Sequence, residues 1–126
     1  AKNSIVMVKC SDTTTPVRSW ISTATKVHSS YIVTVYHNIS RESNKQPRTY
    51  PISCSFSQEG EKMGEFKINS EHEARAAQVG ERDIALVKVT FNEKGQKLPL
   101  LLPQQINKPS VGDVVALISS PTKFHL

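Results

Sequence analysis

The feature that most limits how this chain can fold is its excess of β-branched side chains, set out in short alternating runs. Ile, Val and Thr total 30 of 126 residues, against 14 for Leu plus Ala. Branching at Cβ restricts χ1 in a helix, whereas on a pleated strand the same branch packs well against its neighbours. The clearest run is Tyr50, Ile52, Cys54 and Phe56, interleaved with Pro51, Ser53, Ser55 and Ser57, a period of two that turns one set inward. After a hairpin connection over 58–62, Phe66 and Ile68 alternate with Glu65, Lys67 and Asn69. The near-continuous apolar runs 5–8, 31–36 and 84–89 read as buried strands, 17–25 and 73–79 as weaker strands, and 114–118 as a last one. Segments 26–30, 41–48, 80–83 and 92–97 read as turns or loops, and 98–103 as extended chain. About seven to eight short strands with no long helical period predict an all-β fold, a small antiparallel β-barrel forming one domain over 1–126.

Composition excludes several classes. With 37% apolar and 21% charged residues and few Pro and Gly, the chain is neither disordered nor fibrous. Its greasiest stretch, 98–102, is interrupted by Pro99 and closed by Pro103, far short of the ~20 residues a membrane-spanning helix needs. A net charge of +5 would favour an anionic partner, but the basic residues run from Lys2 to Lys123 among acidic ones. No aromatic residues interleave with them as base-stacking platforms would, so nucleic acid is a disfavoured partner. Cys10 and Cys54 show neither a CxxC nor a zinc spacing, and two cysteines are too few to build a disulfide scaffold. They leave the compartment open. The start at Ala1, without a signal peptide, fits a matured exported protein or a trimmed chain equally. No cofactor or metal is implied.

Residue types that carry chemistry are sparse, and two of them sit at the ends of strong strands. His37 directly follows one and Asp83 directly precedes another. A barrel can bring such positions together, and an imidazole held by a carboxylate is a general base. Each also has a plainer reading: His37 as a loop histidine at a bend, Asp83 as a turn acceptor of the Asx kind. His28, His72 and His125 read as solvated, and Lys26, Arg41, Lys45 and Arg48 as a solvated basic loop face.

The surrounding residues add a resemblance. The segment Tyr31-Ile32-Val33-Thr34-Val35-Tyr36-His37-Asn38-Ile39 is similar to the strand and loop around the catalytic His of trypsin-like serine peptidases, the HtrA/Deg branch above all. Asp83-Ile84-Ala85-Leu86-Val87-Lys88-Val89 resembles that branch's catalytic Asp and its strand, and Ser110 to Pro121 its Val-Gly-Asp-x-Val-x-Ala-Ile-Gly-x-Pro segment. The three occur in family order across nearly the whole chain.

The resemblance implies the N-terminal half of a chymotrypsin-like double barrel, with His37 as general base and Asp83 fixing its tautomer, acting on polypeptide substrates. The family's nucleophile sits in the second barrel within a Gly-Asn/Asp-Ser-Gly-Gly context, and nothing after Asp83 reads that way. Ser119 and Ser120 precede Pro121 without flanking glycines and read as structural. The serine is therefore expected in a second barrel, on the same precursor or another chain, docked on an exposed apolar face that otherwise self-associates. This chain alone is expected to be inactive. The resemblance also runs the first strand beside the one after the His loop, so Cys10 and Cys54 are expected to be buried neighbours, either paired or inert. Ser19-Trp20-Ile21-Ser22 departs from the family's small residues at the substrate groove. The rival function is a non-catalytic binding module on the same fold, and more distantly a nucleic-acid-binding barrel.

Overall fold

The structure, a computed structural model, describes residues 3–14, 16–41 and 47–101. The strand expected at 114–118, the motif at 110–121 with Ser119 and Ser120, and Lys45 and His125 lie outside the described residues. Seven strands are described: β1 (Ile5–Ser11), β2 (Ser19–His28), β3 (Tyr31–Thr34), β4 (Ile52–Gln58), β5 (Glu61–Ile68), β6 (Ala85–Lys88) and β7 (Thr90–Phe91). They form one antiparallel sheet in the order β6-β3-β2-β1-β4-β5-β7. Because β6 and β7 are consecutive pieces of a single run, one paired with β3 and the other with β5, residues 85–91 join both edges of the sheet. The result is a small, nearly closed all-β barrel, the class its alternation predicts.

The barrel interior collects Val6, Val8 and Cys10 from β1, Ile52, Cys54 and Phe56 from β4, Phe66 and Ile68 from β5, and Val87 and Phe91 from the closing run. The run 5–8 is not buried on both faces as its apolarity suggests. Val6 and Val8 point inward, while Met7 is exposed on the outer face. A second, smaller cluster lies outside the barrel wall, where Val27, Val33 and Val79 are buried with Tyr31, Ile84, Leu86 and Leu101 packed on them. Cys10 and Cys54 stand directly opposite each other on β1 and β4 and are disulfide-bonded, with Cα atoms 4.1 Å apart. Of the two states open to them, they adopt the paired one.

Four segments differ from expectation. Residues 73–79 are not a strand: Glu71–Ala77 form a helix, α1. Ser70 caps it, its Oγ accepting from the Glu73 backbone N–H at 3.1 Å, while Glu73 reaches back to accept from the Asn69 backbone N–H. That Ser-x-x-Glu pattern, followed by Ala-Arg-Ala-Ala without a β-branched residue, favours helix over strand. Residues 26–28 are strand rather than turn, and Lys26 is not on a solvated basic face. It points into the barrel, almost fully buried, where Nζ donates to the carbonyls of Gly95, Gln96 and Leu98 at 2.8, 3.1 and 3.0 Å and lies over the Phe91 ring. Those carbonyls close the short helix α2 (Glu93–Gln96), capped by Asn92 inside a segment that reads as loop. Finally, β3 stops at Thr34 and the chain tightens into a 3-10 turn at Tyr36–Asn38.

Candidate functional site

The pairing of β3 with β6 places the candidate residues. Thr34 lies opposite Ala85, so the residue three beyond β3 meets the residue two before β6. Thr34 ends its strand by donating its hydroxyl to the Thr23 carbonyl, and the turn closes as Ile39 and Ser40 both donate backbone N–H to the Tyr36 carbonyl at 3.0 Å. On the other side Val79 N–H donates to the Ile84 carbonyl at 2.8 Å, and Gly80, at φ +60°, takes the left-handed conformation the intervening turn needs.

These two turns bring His37 and Asp83 into a double contact. The His37 Nδ1 lies 2.6 Å from Asp83 Oδ2, and the His37 backbone N–H donates to Asp83 Oδ1 at 2.7 Å. Partial burial pushes the Asp83 carboxyl up, but hydrogen bonds from the His37 ring and backbone, attraction to that ring and the Tyr36 backbone N–H outweigh it. The carboxyl is therefore held below its ordinary value. An ionised carboxylate only accepts, so Nδ1 carries the hydrogen and the lone pair falls on Nε2. The His37 and Asp83 side chains are 67% and 58% exposed, leaving that lone pair open to a group arriving from outside. Chemically, the pair can take up a proton through Nε2 and stabilise the resulting imidazolium.

Around the pair the turn is fastened by side chains. Arg48 Nη1 donates to the His37 carbonyl and, at 3.4 Å, to that of Ser40. Trp20 Nε1 donates to the Asn38 carbonyl at 3.0 Å, and Tyr50 Oη to the Ile39 carbonyl at 3.1 Å. Burial pushes the Tyr50 hydroxyl up to about 12, which keeps it a donor. Arg48 stacks on the Trp20 ring at 3.8 Å rather than lying free on a loop face. Sequence reading assigned Arg48 to solvent and gave Tyr50 only a core role. The one available signal was a lone Trp between Ser19 and Ile21, an expensive side chain with no apolar run to explain it.

Other candidates fall elsewhere. Cys10 and Cys54 are consumed by their disulfide. His72 is exposed on α1, and the His28 Nδ1 accepts from the Ser30 backbone N–H at 3.1 Å. Among the described residues no three His, Cys, Asp or Glu side chains converge as a metal site requires. No described helix is long and apolar enough to cross a membrane. A concavity of about 510 Å³ on the outer barrel face, lined by Lys9, Ser11, Ser53, Ser55 and Lys67 among others, contains neither His37 nor Asp83. No protein-family model, curated protein or solved structure matches the chain.

Proposed function

We propose that this chain is the His- and Asp-bearing barrel of a trypsin-like serine endopeptidase, whose nucleophilic serine and oxyanion donors belong to a second barrel. The supporting observation is the double contact of Asp83 with the His37 ring and backbone, which holds the imidazole with Nε2 free and facing outward. In that role Nε2 takes the proton from an incoming serine hydroxyl as the serine attacks the peptide carbonyl, and then returns it to the leaving amine. Asp83 stays ionised throughout and fixes the tautomer. A base and its orienter have no acyl-enzyme to make by themselves, and removing even one oxyanion donor typically costs about 3 kcal/mol in the transition state.

The test has two arms. The purified chain is treated with a fluorophosphonate serine reagent and assayed on casein; neither labelling nor turnover is expected. The natural assembly is then captured through this chain and treated with the same reagent, with and without His37→Ala. Labelling of a serine outside these 126 residues, lost with His37→Ala, is the expected result. Labelling that ignores His37→Ala, or stoichiometric labelling of the isolated chain, overturns the assignment. An assembly with no reactive serine supports the binding-module reading instead.

A further inference from the structure

We propose that Arg48, Trp20 and Tyr50 form a clamp that positions His37, a role that rests on reading the His37–Asp83 pair as a base and its orienter. The His37 ring is two-thirds exposed and Asp83 is its hydrogen-bond partner, so little packing holds its orientation. What aims the ring must then be the backbone that carries it. The neighbouring anchor is weak, because Asn38 is buried yet its side-chain amide makes no hydrogen bond. The backbone carbonyls do the fastening. Those of His37, Asn38, Ile39 and Ser40, four in succession, accept from Arg48, Trp20, Tyr50 and Arg48 respectively. The next, Arg41, accepts from the Arg48 backbone N–H at 2.7 Å.

Carbonyls at the end of a short surface turn are ordinarily left to water. Here they are taken by three side chains from two separate segments, and two of the three are locked to each other by the Arg48–Trp20 stack. His37 is thus gripped on both sides of its Cα: its N–H by the Asp83 carboxylate, its C=O by the Arg48 guanidinium. Hydrogen bonds involving a charged partner are the stronger class, and a guanidinium combines that charge with a flat face for stacking. Arg48, Trp20 and Tyr50 touch neither the ring nor its partner carboxylate in these bonds. They are positioning residues.

The readout is the tautomer of His37 in the intact chain, taken from the ring ¹⁵N shifts in long-range ¹H–¹⁵N spectra. Wild type is expected to show Nδ1–H, and Asp83→Asn to lose that bias. Tyr50→Phe deletes one donor while keeping the ring, Trp20→Phe deletes one donor and leaves a smaller aromatic face under Arg48, and Arg48→Lys keeps the charge but loses the flat face. Each is expected to lower the Nδ1–H to Nε2–H ratio about fivefold, the size of one net hydrogen bond. Phe66→Leu on β5, a core change away from these bonds, controls for general loosening and is expected to leave the ratio unchanged. Folded Trp20→Phe, Tyr50→Phe and Arg48→Lys proteins that all keep the wild-type ratio overturn the clamp and leave the dyad standing. A wild-type ring without Nδ1–H bias, or one indifferent to Asp83→Asn, overturns the dyad and the clamp with it.

Discussion

At the scale of single residues, a second carboxylate stabilises the segment that presents the clamp. The Asp12 side chain is fully buried and accepts from the Thr14 hydroxyl at 2.6 Å, from Arg18 Nη2 at 2.9 Å and from the backbone N–H groups of Thr14 and Arg18. Arg18 in turn donates to the Pro47 carbonyl at 2.6 Å, one residue before Arg48. Burial pushes the Asp12 carboxyl up, but the bonds from Thr14 and Arg18 prevail and hold it well below the ordinary range. A carboxyl depressed in the folded state binds protons first in the unfolded chain, so its contribution is present above the ordinary value of about 3.9 and is lost as pH falls below it. Asp12→Asn is expected to cost about 3 kcal/mol at neutral pH. Urea midpoints measured from pH 7 down to pH 2 should show the gap between wild type and variant narrowing below about pH 4. A gap independent of pH would show that the carboxylate's charge is not what stabilises the loop. Asp83 is shifted in the same direction, but over half exposed, so solvent screens its share. The positions of His37 and Asp83 at strand ends were legible in the sequence, because chain breaks on either side of apolar runs are local signals. Asp12 was not, since Ser11-Asp12-Thr13-Thr14 reads as any turn does until Arg18 folds back on it.

Among the elements, those with one wet face were the most readable. In β4 and β5 a register slip of one residue would put Ser and Lys in the core, so the alternation and the pairing enforce each other. Their hairpin was equally plain: Glu59 and Gly60 both take positive φ, 53° and 81°, as a two-residue loop between twisted strands requires. The helix at Glu71–Ala77 was missed although its capping residues are local, because seven residues span only two turns and give periodicity little to work with. Lys26 was misread for a different reason. A lysine enters a barrel only if carbonyls await it, and these come from residues about seventy positions away, beyond any local window. Lys26→Met keeps the length of the side chain but takes the ammonium from the carbonyls of Gln96 and Leu98, while that of Gly95 keeps the Leu98 backbone N–H. The expected cost is roughly 3 kcal/mol in urea unfolding, the range for stranding buried polar groups. A loss below ~0.5 kcal/mol, the level of an ordinary surface change, would mean that water replaces the ammonium there.

For the whole molecule, integrity depends on whether the closing run 85–91 holds both sheet edges, since Asp83 is carried just ahead of it. The pairing with β3 covers four residue pairs, but the seam with β5 covers only two, Gly64 with Phe91 and Glu65 with Thr90. Gly64 makes that short seam close. A Cβ there would stand 2.3 Å from the Thr90 carbonyl oxygen and 2.4 Å from the Phe56 ring, and Phe56 reaches past the gap to meet Phe91 edge-on at 5.1 Å between centroids. Backbone cannot yield as a flexible side chain would, so Gly64→Ala should prise β7 from β5. Gly80 provides the contrast: a Cβ there meets open space, and only its φ of +60° opposes substitution. Gly64→Ala is expected to lose about 3 kcal/mol of unfolding free energy through overpacking, against about 1 kcal/mol for Gly80→Ala through backbone strain. Amide exchange separates the two mechanisms further. In Gly64→Ala the protected amides at the Gly64–Phe91 seam should exchange faster at a denaturant concentration where the β1–β4 amides, flanking the disulfide, remain protected. Equal costs for the two variants, with exchange unchanged at the seam, would mean that the barrel is open between β5 and β7 in solution and that Asp83 is held by β3 alone.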